Sequence, residues 1–367
     1  MADKKFEAAE VDQNLAVKAP ENTAEAVFYD VRKPPFSLYG LYNPLTEAGF
    51  VRMPDAVAET VSSSVRKLAR CSAGGRVRFS TDSPYIIIHA EYDSICKFPH
   101  MPLSGSAGFD LYIDDPATEL SRYKNTFMPP VDIENSYESK VDLKTAKLRH
   151  FTLNFPSYSA VTNLWIGLAP NATLGEGMPY REDLPIVFYG SSITQGACAS
   201  RSGNHYLNTV SRRFNRDFIN LGFSGSCKGE DTMLEYLKTL PMSVFVSDYD
   251  HNANDHVELR ATHRKLYEAV RSTHPDIPYL MLSRPDWEHG YDGAILRRDV
   301  IIDTYRFARD NGDQNVFYID GNSLFRGQFE DNGTVDTVHP NDFGFACMSD
   351  AVIAELSRIF GHKDTLV

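Results

Sequence analysis

The sequence is poor in cysteine and poorer in tryptophan, with 5 and 2 residues respectively in 367. The cysteines are Cys71, Cys96, Cys198, Cys227 and Cys347, an odd number in which no two form a CxxC pair. That argues against a disulfide framework or a zinc ribbon and for reduced thiols in a cytosol. Positive charge is in deficit too: 37 Lys and Arg face 49 Asp and Glu, a net charge of −12. Such a surface repels phosphate backbones and anionic lipid, so neither nucleic acid nor membrane is expected as a partner. No apolar run approaches the roughly 20 residues of a membrane span. The opening, MADKKFEAAEVDQNLAVKAP, has no apolar core and no small-residue cleavage site, so no signal peptide is expected. These absences describe a soluble, cytoplasmic protein, with leaderless export left open. A homo-oligomer is compatible with the sequence, which does not decide the matter.

What is present is 42% hydrophobic residues, enough for one large domain or two ordinary ones. Residues 1–26 are polar and read as an N-terminal arm. Residues 27–172 carry short β-rich runs such as VFYDV, RVRFS, YIIIHAEY, GFDLYI, RHFTLNF and NLWIGL, separated by turn residues. No helix longer than two turns is expected there, and the pattern predicts a β-sandwich of jelly-roll type. Residues 173–184, TLGEGMPYREDL, read as a linker. From 185 to 367 strand-like and helix-like segments alternate. PIVFYG, DFINLG, SVFVSD, IPYLMLS and VFYID are the strands, and amphipathic segments follow each. The expectation is an α/β domain of three layers, with a mostly parallel five-stranded sheet between helices. Ligands of such sheets bind at the carboxyl ends of the strands, so the residues after each strand are the candidates.

The first strand runs into Gly190-Ser191-Ser192, where a serine can present its hydroxyl to a cleft or can cap the next helix. The second ends in NLGFSGSCKGE. Ser224 is a rival nucleophile, but Gly222-Phe223-Ser224-Gly225-Ser226 misses the GxSxG pattern at its last position. Gly225 suits the close approach of a backbone N–H to a ligand, or merely a flexible turn. After the third strand, Asp248, Asp250, His251, Asn252, Asp255 and His256 crowd together without HxH or HExxH spacing. A metal site is therefore weakly indicated, whereas the Asn252 amide can donate to an oxyanion. Asp336 and His339 follow the last strand, three residues apart, and Pro340 keeps His339 out of helical geometry. A histidine oriented by a carboxylate is a general base. Together the four loops hold a nucleophile, a base, an orienting acid and oxyanion donors, the parts of acyl transfer.

In GSSITQG, NLGFSG, DYDHNA and DTVHP the chain resembles the SGNH (GDSL-type) hydrolase family across about residues 185–360. The resemblance implies Ser192 as nucleophile and Asp336 and His339 as its partners. It implies an oxyanion hole of Ser192, Gly225 and Asn252. The chain departs from the family in having Ser191 where Asp is usual before the nucleophile, and Asp250-His251-Asn252-Ala253 where GxND is usual. A second resemblance lies upstream: Gly108-Phe109-Asp110-Leu111-Tyr112 is similar to the GxDLY motif of the β-domain ahead of some bacterial SGNH esterases. Many related two-domain enzymes act on O-acetylated sugars.

The expected activity is therefore hydrolysis of a small-molecule or oligosaccharide ester through an acyl-serine, with acetyl favoured and no metal or organic cofactor. Trp287 could stack on a sugar, with Arg284, Glu288 or His289 binding hydroxyls; domain packing is the alternative for Trp287. Lys228 and Glu230 are similarly placed, with a salt bridge at the helix start as their alternative. Hydrolysis of lipid esters or thioesters and acyl transfer use the same residues and stay open. So do an inactive carbohydrate-binding protein and a thiol enzyme built on Cys198 or Cys227.

Overall fold

The structure, a computed structural model, describes residues 25–181, 184–285, 293–327 and 330–361. The β-rich runs of the N-terminal half form two antiparallel sheets. One has four strands, in the order Val27–Asp30, Ala160–Leu168, Tyr85–Ser94 and Ser136–Asp142. The other has six. Leu174–Glu176, Arg76–Thr81, Arg149–Asn154, Phe109–Asp115 and Leu120–Phe127 lie side by side, and Ser37–Tyr39 also pairs with Arg76–Thr81. A strand turns alternate side chains to opposite faces. Along Tyr85–Ser94 every second residue, Ile86, Ile88, Ala90 and Tyr92, enters the core shared with Val77, Phe109 and Leu153 of the other sheet. The stretch read from sequence as linker begins with Leu174–Glu176, an edge strand held on Phe79–Thr81.

From residue 186 the predicted alternation is observed. The strands are β1 (Ile186–Gly190), β2 (Phe218–Gly222), β3 (Val244–Asp248), β4 (Tyr279–Leu282) and β5 (Val316–Ile319). They lie in the order β2-β1-β3-β4-β5 and every pairing is parallel. The helices are α1 (Ser192–Gln195), α2 (Tyr206–Phe214), α3 (Asp231–Leu237), α4 (His256–Thr273), α5 (Ala294–Asp310) and α6 (Asp342–Ile359). Val187 and Tyr189 of β1 face a core with α3, α4 and α5. Ile186 and Phe188 face a second core with α2 and α6. The strand order reverses between β1 and β3, and there the crevice of a doubly wound sheet opens. No helix among the described residues is long and apolar enough to cross a membrane.

Two features join the halves. The segment before the main β strands folds into two seven-residue helices, Asp55–Val61 and Ser63–Ala69, which the sequence reading did not identify. Ser62 separates them, its hydroxyl accepting from the Val65 N–H at 3.1 Å. Ala58, Val65 and Ala69 enter the same core as α3 and β1, so upstream chain completes one helical layer of the α/β domain.

The second feature is a set of buried arginines along β2. This is an edge strand, and its outward carbonyls would otherwise be exposed for pairing with another chain. Arg52 donates to the carbonyls of Asn220 (2.9 Å) and Gly222 (2.7 Å), and also to those of Leu68 and Cys71. Arg76 donates to the Phe218 carbonyl (3.0 Å) and pairs with Asp217. Alternate carbonyls of the edge are thus satisfied from the N-terminal half. Arg78 reaches Met178 O and Asn215 Oδ1 under the Tyr180 ring. Desolvating a guanidinium costs several kcal/mol, and hydrogen bonds to charged groups return about 1.5–3 kcal/mol each, so Arg52 is near balance in place and costly to remove.

Candidate active site

Ser192 opens α1 directly beyond β1. Gly190 ends the strand because a β-carbon there would lie 2.3 Å from the Asp248 carbonyl and 2.1 Å from Thr194 Oγ1, so only a bare backbone lets α1 settle on the sheet. Ser191 is the helix cap: its hydroxyl accepts from the Ile193 N–H at 3.2 Å and its own N–H donates to Asp248 O at 2.8 Å. That leaves the Ser192 hydroxyl for other work. Its Oγ lies 2.9 Å from His339 Nε2, and His339 Nδ1 lies 2.8 Å from Asp336 Oδ2. Ser192 is 5% exposed, so it meets solvent only through the cleft.

The Asp336–His339 loop is held tightly for a surface segment. Asp336 Oδ1 accepts the N–H groups of Val338 (3.2 Å) and His339 (2.8 Å). Desolvation pushes this carboxyl up, but those N–H donors and the imidazole outweigh it and hold it below the usual range. Thr337 adopts φ +69°, uncommon for a β-branched residue. Its carbonyl takes a 3.2 Å hydrogen bond from Arg284 Nη2, which arrives from the end of β4.

Gly225 has φ +66° in a turn closed by the Ser226 N–H on the Phe223 carbonyl, so the third turn position is left-handed and suits glycine. A β-carbon there would meet nothing within 4 Å, so this backbone faces open space. Asn252 Oδ1 accepts the Cys227 N–H at 3.2 Å, which fixes the amide and turns its Nδ2 donor away from that contact. The loop bearing Asn252 is clamped from behind. Arg297 of α5 donates to the carbonyls of Asp250 (2.9 Å), Ala253 (2.7 Å) and Asn254 (2.8 Å).

Ser192, Gly225, Asn252 and His339 line one cleft of about 450 Å³. Arg284 and His251 line it as well. Desolvation, then Arg284, His339 and Arg297, push the His251 imidazole well below its ordinary pKa, so it faces the cleft as a neutral ring. Ser224 also lines the cleft, but the nearby imidazole bonds Ser192 instead. Cys227 is fully buried and desolvation holds its thiol protonated. Lys228 lies outside this lining, hydrogen-bonded to Asn254 (3.2 Å) and near Glu258 (4.0 Å). Glu230 likewise lies outside it, at the N-cap of α3 without a side-chain cap bond. Trp287, Glu288 and His289 fall outside the described residues.

The roles of four residues were not identified from the sequence. Arg297 sits three residues before Val300 on the buried stripe of α5, and an arginine on an apolar stripe is the signal that could have revealed it. His100, from a loop of the N-terminal half, stands with its ring 5.8 Å from that of His339. Asp110 and Tyr112 of the GxDLY motif turn out to dock the two halves. Asp110 accepts from Arg201 Nη1 (2.9 Å) and the Gly203 N–H (2.8 Å), while Tyr112 contacts the Gly203 carbonyl (3.4 Å).

A hydroxyl bonded to an imidazole that is oriented by an ionised carboxylate can act as a nucleophile under general-base catalysis. The Ser192 N–H, without an intrahelical acceptor at the start of α1, the Gly225 N–H and the Asn252 amide offer donors beside it.

Comparison with known proteins bears on the same two regions. Residues 183–357 match the GDSL-like lipase/acylhydrolase family. Residues 26–174 match GxDLY, the N-terminus of SGNH-hydrolase-type esterases. No curated protein matches the chain. Among solved structures, a candidate GDSL-like lipase from Bacteroides ovatus superposes with a TM-score of 0.82 at 27% identity, over 92% of this chain and 99% of that one. The salicylyl-acyltransferase SsfX3 of a tetracycline biosynthetic pathway gives 0.71 at 19% identity, over 93% and 99%. An acetyl xylan esterase, Est2A, from the rumen bacterium Butyrivibrio proteoclasticus gives 0.58 at 11% identity, over 92% and 100%.

Proposed function

From the match of residues 183–357 to the GDSL-like lipase/acylhydrolase family and of residues 26–174 to the GxDLY N-terminus of SGNH-type esterases, we propose that the protein is a serine esterase removing short acyl groups, acetyl above all, from carbohydrates. The observation that carries this reading is the Ser192–His339–Asp336 series of hydrogen bonds, opening on a cleft whose walls include several polar side chains. Asn252, Asn254, Arg284 and His251 offer hydrogen bonds to an alcohol rich in hydroxyls, whereas a long acyl chain would need an apolar channel that these residues do not form. The likeness in fold to carbohydrate esterases such as Est2A supports the choice of sugar esters.

In this mechanism the Ser192 Oγ attacks the ester carbonyl carbon and passes its proton to His339 Nε2. Asp336 keeps the ring oriented and stabilises its charge. The Ser192 and Gly225 N–H groups and the Asn252 amide take the negative charge that develops on the carbonyl oxygen. The sugar oxygen leaves with the proton from His339. A water, deprotonated by the same imidazole, then releases the acid and restores Ser192. Transfer of the acyl group to a second hydroxyl would use the same residues, and the chain resembles an acyltransferase in fold. Acetate release from acetylated mono- and oligosaccharides, compared with hydrolysis of p-nitrophenyl octanoate, tests the reading. Preference for the octanoate would overturn it.

A further inference from the structure

Among the described residues, metal-ligating side chains gather in one place, and not in the Asp248–His256 segment that the sequence drew attention to. His100, Cys198 and His339 each present a ligand atom within 4.8 Å of the other two. They come from three distant segments: the loop after strand Tyr85–Ser94, the loop after α1, and the loop before α6. Cys198 is buried with Met101 and Tyr158, and Phe98 packs on the same cluster, so the sulfur sits in a dry wall. It holds φ +61°, a left-handed backbone unusual for cysteine. His100 is exposed, so the cluster is reachable from solvent.

We propose that His100, Cys198 and His339 form a binding site for a borderline-soft divalent cation such as Zn²⁺, and that its occupancy silences Ser192. Two imidazoles and a thiolate are zinc donors and unsuited to Mg²⁺ or Ca²⁺. Zinc bonds of about 2.0–2.3 Å in tetrahedral geometry place ligand atoms roughly 3.3–3.8 Å apart. The present spacing, within 4.8 Å for every pair, therefore closes with roughly an ångström of movement among the three loops. Three protein ligands leave a fourth position for water.

Coordination displaces the Cys198 S–H proton to solvent and forms the metal–sulfur bond, with no change of oxidation state. The consequence for the serine follows from the two nitrogens of His339. Nε2 is bonded to Ser192 and Nδ1 to Asp336. Whichever nitrogen takes the metal, one of those bonds is lost, so metal binding and activation of Ser192 exclude each other.

The test uses the full chain with Co²⁺ and Zn²⁺ as probes. Cobalt should give a thiolate-to-metal charge-transfer band in the wild type that is absent from Cys198→Ser and weakened in His100→Ala. This readout needs no substrate, so a failed esterase assay leaves it intact. Zn²⁺ should abolish hydrolysis of p-nitrophenyl acetate, with recovery on adding chelator. Either variant should raise the Zn²⁺ concentration for half-inhibition by at least about 10–100-fold, the scale of losing even an outer-shell partner. No cobalt–thiolate band, or equal zinc sensitivity in Cys198→Ser and wild type, would overturn the proposal.

Discussion

Asp110 Oδ2 accepts the backbone N–H of Gly203 at 2.8 Å, and a β-carbon on Gly203 would stand only 2.4 Å from that same oxygen. The contact joins the GxDLY strand to the chain just beyond the nucleophile turn. From there the Ser200 N–H donates to Asp342 Oδ1 at 2.8 Å, at the start of the helix that follows His339. The N-terminal half thus buttresses both sides of the cleft. Asp110→Ala leaves the largely buried Arg201 without its carboxylate and should cost about 3–5 kcal/mol in chemical denaturation. Unchanged stability would remove the motif from this docking role.

The β2 edge gives a second expectation. Arg52→Ala leaves the Asn220 and Gly222 carbonyls without their donor and should destabilise by roughly 2–6 kcal/mol, about 1–3 kcal/mol for each. Arg52→Lys should rescue little, because one ammonium cannot replace a planar fork that reaches four carbonyls. Equal melting of the lysine variant and the wild type would show that charge alone suffices.

Within the cleft, Asp336→Asn should lower kcat by about 10⁴ while KM stays nearly fixed, since the ring of His339 loses its orienting acceptor. Asn252→Ala should lower kcat by about 10²–10³, the usual effect of one oxyanion donor. Steady-state kinetics on p-nitrophenyl acetate check both. A change confined to KM would assign these residues to substrate binding instead.

Asp250 supplies a pH signature. Desolvation raises its carboxyl to about 6, against the hydrogen bond from the Arg284 N–H and the charges of Arg284 and Arg297. The folded state therefore keeps the proton to higher pH than the unfolded chain, whose value is about 3.9. The sign follows: this group's contribution to stability falls as pH rises from about 4 to 6, by up to about 3 kcal/mol, and is flat above. Asp250→Asn keeps an acceptor for the Arg284 N–H and should remove that slope. Parallel pH–stability curves for variant and wild type would contradict this.

The elements of the α/β domain were legible because the strands are short, mostly apolar runs and each long helix shows its stripe. The positions of Ser192, Gly225, Asn252, Asp336 and His339 were legible because parallel strands deliver their following loops to one edge. Other features depend on chain segments that no local pattern links. RVRFS was legible only as a β-rich run, and nothing local shows that Arg76 and Arg78 are buried against β2 and the chain before it. The helix pair at 55–69 was too short, at seven residues each, to show a period, and its partner surface lies on the other domain. His100 reaches His339 only through domain docking. Lys228 and Glu230 were grouped with the site because they follow β2, but they lie just before α3 and outside the cleft lining.

The most direct test is covalent. Incubation with a fluorophosphonate followed by peptide mapping should place a single adduct on Ser192. Ser192→Ala should take up no label and should not hydrolyse p-nitrophenyl acetate, while iodoacetamide leaves the wild-type rate intact. An adduct on Ser224, a rate abolished by iodoacetamide, or hydrolysis by Ser192→Ala at the wild-type rate would contradict the account.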